Sequence, residues 1–541
     1  MNQRREIKAK GKPDWTTLYD HLLHVKMAIE KVAANTGFDV EKAALAAIFH
    51  DIGKAHPIFQ DRLNDINSKQ TFRHELSSLL FLPLIKAEWQ NDIIEMVVAH
   101  HKSIRNDLKK KGILDLEEYE DEVFEYHLGD WEKWSPAALD ILNAFGIETR
   151  SISRKEAEEA YNQVYTFCEK KVQKEKGYSE LRGLLMAADH FASVMIDKTE
   201  EKLGSLFSKP KLQFFNRQHH LYPLSNYSTD SKLPHTIAVA CTGAGKTDYL
   251  FRRCRNRVFY TLPFQASINA MYFRLLRDLE INNPNLDIRV LHAASSLIEK
   301  EDGGKEDIVL QKHPGSAIKV LTPYQLAGIA LGSKGFEAMI LDVKGCDIIL
   351  DEVHTYSAIS QAIVLKLIAV LNSLGCRLHI GTATMPSLLY NRIKEILGAE
   401  NVLETKLSEN ELNLYDRHTV HKITNWDQSE KVISTAIKKE QKVLIVCNRV
   451  QKAQDIFRSL KKIYSKTDML LLHSRMKRKD RKQREIDLVG IDKDGNPTGQ
   501  YNTSGAACIV VSTQVVEVSL DISFDVMITE CAPLDLSLIH I

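Results

Sequence analysis

The sequence predicts a multidomain protein in which an all-α domain precedes two α/β units, each built on a parallel sheet, with the second unit incomplete. The chain has 541 residues, and at about 150 residues per domain this length accommodates three or four domains. In the first 200 residues or so, apolar side chains recur every three or four positions, as in amphipathic helices. After His235, short apolar runs alternate with helical stretches, which is typical of parallel strands buried on both faces.

The elements follow this division in order. Three stretches with helical periodicity define an all-α domain at 1–202, and they lie at 15–34, 40–53 and 179–196. Residues 203–235 lose the period and collect Pro, Ser and Asn, so we interpret them as a linker. Apolar runs that predict buried strands lie at 236–241, 288–292, 317–322, 346–351, 377–384, 442–448 and 507–513. A polar stretch at 401–430 separates a first α/β lobe (236–400) from a second (431–541).

Composition narrows the classes of function. The formal net charge is +1, but residues 1–202 carry −6 and the remaining 339 carry +7, so the charge is divided between an acidic and a basic part. No run approaches the ~18 apolar residues of a membrane span, and the basic start lacks the apolar segment of a secretory signal. The eight cysteines contain no C-x-x-C pair. We therefore expect a soluble cytoplasmic protein with free thiols and no membrane partner.

A phosphate-binding loop opens the first α/β lobe. The segment Ala240-Cys241-Thr242-Gly243-Ala244-Gly245-Lys246-Thr247 lies between a predicted strand and a predicted helix. Its glycines allow backbone N–H groups to surround phosphate oxygens, Lys246 can neutralise the β- and γ-phosphates, and the Thr247 hydroxyl can hold Mg²⁺. In this context the pattern predicts an ATP site.

An acidic motif follows about a hundred residues later. Asp351-Glu352-Val353-His354 comes directly after an apolar strand, where Asp351 can hold Mg²⁺ and Glu352 can orient the attacking water. Alone, this motif could be a solvated strand end, but a phosphate loop upstream makes that interpretation weak. Together the two motifs resemble a superfamily 2 DExH helicase, which implies two RecA-like lobes. Further segments agree in order, namely 261–271, 322–323, 382–384, 447–449, 473–475 and 512–517.

The all-α domain contains the motif His50-Asp51-Ile52-Gly53-Lys54 at the end of an apolar helix. A His-Asp dipeptide is common by chance, but this one carries the Gly-Lys extension of the HD metal-dependent phosphohydrolase superfamily, which it resembles. An adjacent imidazole and carboxylate can share a two-metal centre that activates water and clamps both oxygens in phosphodiester cleavage. Lys54 would place positive charge beside the scissile phosphate.

Such a centre needs more ligands, and several lie in helical segments in the order of this superfamily. A lone histidine on a helix is usually a satisfied core residue, but several His and Asp residues in the order of the superfamily make that interpretation weaker. Four other histidines do not correspond to positions of the superfamily pattern: His24, His56, His127 and His190. By resemblance, the metal ligands are His21, His50, Asp51, His74, His100, His101 and Asp189. Imidazole-rich ligation favours Mn²⁺, Fe²⁺, Co²⁺ or Ni²⁺ over an oxygen-only Mg²⁺ site.

An HD domain followed by a DExH core resembles the type I CRISPR-associated helicase–nuclease over essentially the whole chain. The resemblance implies recruitment by the Cascade effector complex with its guide RNA. It also implies ATP-driven 3′→5′ movement of the helicase lobes on single-stranded DNA, which the HD domain cuts. His50, Asp51, Lys54 and Glu352 would be catalytic, and Lys246, Thr247, Asp351 and Glu352 would hold ATP and Mg²⁺.

The end of the sequence departs from this family. In the family, an arginine motif that completes the ATP site from the second lobe follows a segment like 531–535. The sequence ends at residue 541 without this motif, which indicates a truncated form. We therefore expect metal-dependent cleavage of single-stranded DNA to be retained and ATP-driven unwinding to be weak or absent. Two other functions remain open at this point: an HD-type nucleotide or cyclic-nucleotide phosphohydrolase fused to a repair or RNA helicase, and a non-catalytic binding fragment.

Overall fold

The structure is a computed structural model. It describes residues 7–64, 72–101, 104, 113–115, 125–174, 178–263, 265–291, 313–333, 335–353, 358–414, 419–490, 498–503, 505–516 and 522–531. The chain divides into two compact units. The first comprises residues 1–208, 295–316 and 328–344, and the second comprises 209–294, 317–327 and 345–541.

The N-terminal part of the first unit is helical, as the periodicity predicts. Its helices are α1 (Leu18–Thr36), α2 (Val40–Phe49), α3 (Pro57–Asn64), α4 (His74–Leu79), α5 (Ala87–Val97), α6 (Trp131–Ala144), α7 (Arg154–Lys174), α8 (Glu180–Met195) and α9 (Thr199–Leu203). Side-chain caps start several of them; Thr17, Asp39 and Ser179, for example, each accept a backbone N–H from the first turn of α1, α2 and α8. The helices enclose one apolar core.

A seven-stranded sheet lies in the second unit. The elements from its first strand to its last are β1 (His235–Val239), α10 (Lys246–Arg253), β2 (Val258–Thr261), α11 (Gln265–Leu279), β3 (Ile288–Leu291), β4 (Ile318–Leu321), α12 (Pro323–Leu331), α13 (Phe336–Val343), β5 (Asp347–Asp351), α14 (Ala358–Ser373), β6 (Arg377–Thr382), α15 (Ser387–Leu397) and β7 (Val402–Lys406). All strands are parallel, in the order β3-β4-β2-β5-β6-β1-β7. The sheet extends to Lys406, beyond the lobe boundary that we placed at residue 400.

A second parallel sheet follows in the same unit. Its elements are α16 (Glu409–Leu414), α17 (Trp426–Lys438), β8 (Val443–Cys447), α18 (Val450–Ile463), β9 (Asp468–Leu472), α19 (Arg478–Val489), α20 (Gln500–Thr503), β10 (Cys508–Thr513) and β11 (Val526–Thr529). The strand order is β11-β8-β10-β9. Val443 and Ile445 of β8 pack into one apolar cluster, and Leu444 and Val446 pack into another. The sheet is therefore buried on both faces, as continuous apolar strands require.

These elements confirm the predicted fold class, a helical domain followed by parallel-sheet lobes. Among the residues that the structure describes, no helix is both long enough and apolar enough to cross a bilayer.

One helix from the α/β part of the sequence belongs to the first unit. Leu341 of α13 lies in the apolar core of the helical domain, and Gly183 of α8 packs directly on the backbone of Glu337. The Glu337 carboxylate is 4% exposed. It accepts the backbone N–H of Ser179 and the Nε–H of Arg182, both at 2.9 Å. Glu337 therefore fixes the N-terminus of α8.

We expect Glu337→Ala to destabilise α8 locally by about 2–3 kcal/mol, because it leaves the Arg182 guanidinium and a helix-terminal N–H without their acceptor. The partial exposure of Arg182, at 31%, keeps the cost below that of a fully buried pair. Hydrogen exchange of the α8 amides in the whole chain measures the effect. Lys344→Gln is the matched control, since it removes the more exposed Lys344–Glu180 pair and leaves Glu337 in place. Unchanged exchange in Glu337→Ala would contradict this role.

Candidate metal centre and nucleotide site

The seven residues predicted to bind metal come from separate elements of the first unit. His21 lies in the first turn of α1, His50 and Asp51 directly follow α2, and His74 begins α4. His100 and His101 follow α5, and Asp189 lies in the middle of α8. Six of the seven are buried, and His101 is exposed. The helices thus project side chains that are up to 168 positions apart in sequence into one interior site.

These side chains form two overlapping groups. Potential ligand atoms of Asp51, His74, His100 and His101 all lie within 4.8 Å of one another, and the same holds for His21, His50, Asp51 and Asp189. Asp51 belongs to both groups. This is the arrangement in which one carboxylate can bridge two cations.

The two oxygens of Asp51 divide the groups between them. Oδ1 lies 2.8 Å from His74 Nε2 and 3.5 Å from His100 Nε2. Oδ2 lies 2.9 Å from His21 Nε2 and 3.3 Å from His50 Nε2. Each oxygen therefore faces one set of imidazoles.

The imidazoles are oriented for coordination. His50 and His100 each donate Nδ1–H to a backbone carbonyl, that of Ala47 or Val97, at 2.6 Å. This bond fixes the tautomer and leaves the lone pair of Nε2 aimed at the cluster. The Nε2 atoms of His50, His74 and His100 are buried near the Asp51 oxygens, but none of them makes a hydrogen bond of good geometry. Buried nitrogens without partners are costly in a protein interior, so this donor set fits divalent cations.

Burial and charge set the protonation of the cluster. Burial opposes a charge on His50, but Asp51 and Asp189 raise the pKa of its imidazole to about 9, so without a metal Nε2 carries a proton that a bound cation would displace. Burial and Lys54 lower the pKa of His21 to about 4. Burial would raise the pKa of Asp51, yet His50 and Lys54, whose ammonium pairs with this carboxylate, hold it well below its ordinary value. Asp51 is thus ionised, as a metal ligand must be.

The backbone packed around Gly53 explains why a glycine lies two positions after Asp51. An added Cβ would lie 2.2 Å from the carbonyl oxygen of His74 and 2.5 Å from the backbone nitrogen of Ser78. Both atoms are backbone and cannot rotate away. The close approach seats the turn of Asp51 against the first turn of α4, which carries His74.

We expect Gly53→Ala to push α4 away from Asp51 and to weaken Mn²⁺ binding by about 10- to 100-fold, the range found when the support of a ligand is disturbed. Calorimetric Mn²⁺ titration of the whole chain measures this. Gly204→Ala is the control, because the added Cβ would make only an ordinary contact there, 3.4 Å from Glu201 O. Equal Mn²⁺ affinity in both variants would show that the contact at Gly53 does not position His74.

The predicted phosphate loop connects β1 to α10 in the second unit. Gly243 and Gly245 have φ of 79° and 85°, which is the left-handed region that favours glycine. The buried ammonium of Lys246 donates to the carbonyls of Ala240 and Cys241 at 3.0 and 3.3 Å. The loop therefore closes around the lysine at the carboxyl edge of the sheet, where ligands of such sheets bind.

The acidic motif ends β5, which β6 separates from the strand before the phosphate loop. Asp351 accepts a hydrogen bond from Tyr260 of β2. Burial and the charge of Glu352 raise the pKa of Asp351 to about 6, and burial raises the pKa of Glu352. An added Cβ on Gly381 of β6 would lie 2.8 Å from Asp351 Oδ1, so glycine makes room for the carboxylate.

Several residues of the segments predicted in the two α/β lobes lie outside the described residues, namely Phe264, His292, His354, Glu517 and 532–541. Val353 of the acidic motif is described and buried.

Sequence reasoning missed part of the nucleotide site. Tyr260 lies in a four-residue strand that gave no signal of its own. Residues 203–235, which we interpreted as a linker, pack on α10. The ring of Phe215 stacks on that of Phe251 with 4.3 Å between the ring centroids, and Arg217 Nε lies 2.7 Å from Asp248 Oδ2. This segment supports the helix that begins at the phosphate loop. Its Pro, Ser and Asn content gave no signal for that packing.

A third group of potential ligands, Cys254, Asp347 and His379, is better explained as structure. Asp347 Oδ2 accepts the backbone N–H groups of Arg255 and Asn256 at 2.7 Å, and Oδ1 lies 2.8 Å from His379 Nε2. Burial raises the pKa of the Cys254 thiol well above its ordinary value, whereas metals bind the thiolate. The carboxylate is therefore already satisfied by protein donors.

Two family models match parts of the chain. Residues 18–192 match the model of the HD domain, and residues 439–539 match the model of the C-terminal part of the CRISPR-associated nuclease/helicase Cas3. The HD domain implies binding of divalent metal.

Individual relatives carry the same description. The chain is 25% identical over 562 residues to a CRISPR-associated nuclease/helicase Cas3 of Methanothermobacter thermautotrophicus, with 91% of this chain and 65% of the relative covered. It is 24% identical over 547 residues to a Cas3 protein of Methanocaldococcus jannaschii, with 90% and 73% covered. The chain thus spans about two thirds to three quarters of these relatives.

Solved structures show the same fold. The crystal structure of Cas3 from T. fusca superposes with a TM-score of 0.60 at 18% identity, covering 100% of this chain and 72% of that one. Its complex with ATP gives a TM-score of 0.58 at 18% identity, with 99% and 72% covered.

Proposed function

We propose, on the premise that this chain is a member of the CRISPR-associated Cas3 nuclease/helicase family, that it is a nuclease with an ATP-driven motor. It cuts single-stranded DNA at the cluster of seven predicted metal ligands, the HD cluster, while its helicase lobes move the strand with ATP. The observation that carries the nuclease half is the pair of overlapping ligand groups that share Asp51. The arrangement of the phosphate loop and the acidic motif at one sheet edge supports the motor half.

In the nuclease, we assign His21, His50, Asp51, His74, His100, His101 and Asp189 to two divalent transition metals, of which Mn²⁺, Fe²⁺, Co²⁺ and Ni²⁺ suit imidazole. Metals bound there would activate water and stabilise charge on the phosphodiester oxygens. Asp51 holds the two halves of the site together, and the backbone carbonyls behind His50 and His100 keep their rings oriented. Lys54, buried against Asp51, supplies a positive charge beside the scissile phosphate.

In the motor, residues 240–247 surround the phosphates of ATP with backbone N–H groups, and Lys246 places its ammonium at the β- and γ-phosphates. Mg²⁺ bound with the nucleotide would neutralise charge on the phosphates, held by Thr247 and Asp351. Glu352 orients the attacking water. Movement in the 3′→5′ direction follows from the family resemblance.

We propose the Cascade effector complex with its guide RNA as the partner that exposes the DNA strand. A structural relative supports this: the protein in the structure titled "CRISPR RNA-guided surveillance complex, pre-nicking" has a TM-score of 0.51 and 18% identity to this chain, with coverage of 99% and 70%.

Cleavage of circular single-stranded DNA by the Mn²⁺- or Co²⁺-loaded chain tests the nuclease. Nucleotides and cyclic dinucleotides are assayed in parallel with the same preparation. We expect the circle to be cut without ATP and the small substrates to be left intact. Hydrolysis of the small substrates alone would assign the site to nucleotide metabolism, and a chain that binds no transition metal would be a binding module.

A further inference from the structure

Lys10, a residue of the N-terminal segment that is not a predicted ligand, contacts the helix that carries the ligand Asp189. The segment before α1 is held by a β-bridge between Lys8 and Thr17 and by the bond from Ala9 N–H to Thr16 O at 2.9 Å. From this segment the partly buried side chain of Lys10 crosses to α8, where its ammonium donates to the carbonyl of Ser193.

Ser193 connects this lysine to the cluster. It follows Asp189 by four positions on α8, and its hydroxyl donates to Asp189 Oδ1 at 3.2 Å. The ammonium of Lys10 thus binds the helix at the residue one turn after Asp189 and shares Ser193 with its carboxylate. The side chain of Lys10 therefore lies next to the turn of α8 that carries Asp189.

A single side chain joins the segment of Lys10 to the turn of Lys54. Gln60 of α3 accepts the backbone N–H of Lys8 at 3.0 Å and donates to Lys8 O at 2.9 Å. The same amide donates to Lys54 O at 2.6 Å. Gln60 therefore links the segment that carries Lys10 to the turn that carries Lys54. Lys54 pairs with Asp51, and Lys10 lies next to the turn that carries Asp189.

We propose that Lys10 binds a phosphate that neighbours the scissile one on a single nucleic-acid strand; this inference rests on the nuclease function proposed above. Lys54 already occupies the position beside Asp51, so a second ammonium next to Asp189 would meet another charge along the backbone. A lysine ammonium has three donors, of which the Ser193 carbonyl takes one. The site thereby distinguishes a polynucleotide from a small phosphodiester.

The test compares substrates with and without a neighbouring charge, using the whole Mn²⁺-loaded chain without ATP. Bis(p-nitrophenyl) phosphate has one phosphodiester and no neighbouring phosphate, whereas a short single-stranded oligonucleotide has many. We expect Lys10→Gln to lower kcat/KM for the oligonucleotide about tenfold, mainly through KM, as for a lost charge-assisted hydrogen bond. Hydrolysis of the small substrate stays within about twofold, and Lys10→Arg restores most of the loss.

Lys12→Gln is the matched control, since it removes an exposed lysine from the same segment and leaves both activities unchanged. For Lys10→Gln, the slope of log(kcat/KM) for the oligonucleotide against log[salt] becomes shallower by about 0.7, the contribution of one phosphate contact on a single strand.

Changing the substrate gives a second test that does not depend on how a variant folds. In an oligonucleotide whose phosphodiesters alternate with uncharged methylphosphonates, every scissile phosphate has neutral neighbours. We expect the wild-type chain to lose about tenfold in kcat/KM on this strand, and Lys10→Gln to lose nothing further from the same change.

Two results would overturn the assignment while leaving the nuclease intact. Equal losses of Lys10→Gln on the small substrate and the oligonucleotide would make Lys10 a tether of α8 that acts through Ser193. No loss on the alternating strand would show that neighbouring charge is not recognised. A wild-type chain that cuts neither substrate would overturn the nuclease proposal, and this inference with it.

Discussion

Asp51→Asn is expected to abolish metal-dependent cleavage of single-stranded DNA, with a loss of at least about 10³-fold, equivalent to about 4 kcal/mol in the barrier. Asp51 is the residue common to both ligand groups, so its substitution affects both metals at once. Asparagine keeps the shape but replaces one anionic oxygen by an N–H₂ donor. That donor would face either the His21–His50 side or the His74–His100 side of the cluster, and the lost charge would weaken both sites.

Metal analysis of the purified chain, together with cleavage of circular DNA, measures this result. We expect bound transition metal to fall from two equivalents to one or none. His190→Ala is the control, because this exposed histidine adjoins Asp189 in sequence and faces away from the cluster. Cleavage by Asp51→Asn at the wild-type rate would place the reaction elsewhere in the chain.

The residues of the metal cluster were predictable because their order resembles that of the HD superfamily and because they lie in helices or just after a helix end. A helix fixes the direction of side chains such as His21 and Asp189, so those on a buried face point into the bundle. The order of His21, His50, His74, His100 and Asp189 was therefore informative. The contacts that position them were not: Gly53 and Lys10 act across 25 and 183 positions, and such pairings arise only when the chain is folded.

The strands also fall into two groups, those that the sequence predicted and those that it did not. Runs such as 346–351 and 507–513 became β5 and β10 because central strands of a parallel sheet are apolar on both faces. β7 lies at a sheet edge and is only partly buried, with Glu404 and Lys406 exposed. Its sequence therefore carries no continuous apolar signal. This is why the stretch that begins near residue 401 looked like a linker although Val402–Lys406 pairs with β1.

The acidic motif gives the second large effect. Glu352→Gln is expected to lower the DNA-stimulated ATP turnover that the chain retains by at least about 10²-fold, the usual contribution of a group that positions or activates water. Glutamine preserves the volume and the backbone, in which Glu352 has φ of 55° and donates its N–H to Gly381 O at 2.9 Å. Nucleotide binding should therefore persist, since Lys246 and residues 240–245 are unchanged.

The same variant separates the two activities of the chain, because Glu352 lies in the second unit and the HD cluster lies in the first. We expect Mn²⁺-dependent cleavage of a short single strand without ATP to remain within about twofold of the wild-type rate, since no HD ligand is altered. Glu395→Gln, which changes a 66% exposed carboxylate of α15, should leave both activities intact. ATP turnover that survives in Glu352→Gln would assign the attacking water to another residue. Loss of strand cleavage together with ATP turnover would show that the nuclease depends on the nucleotide state of the motor, and the two sites would then have to be treated as one coupled machine.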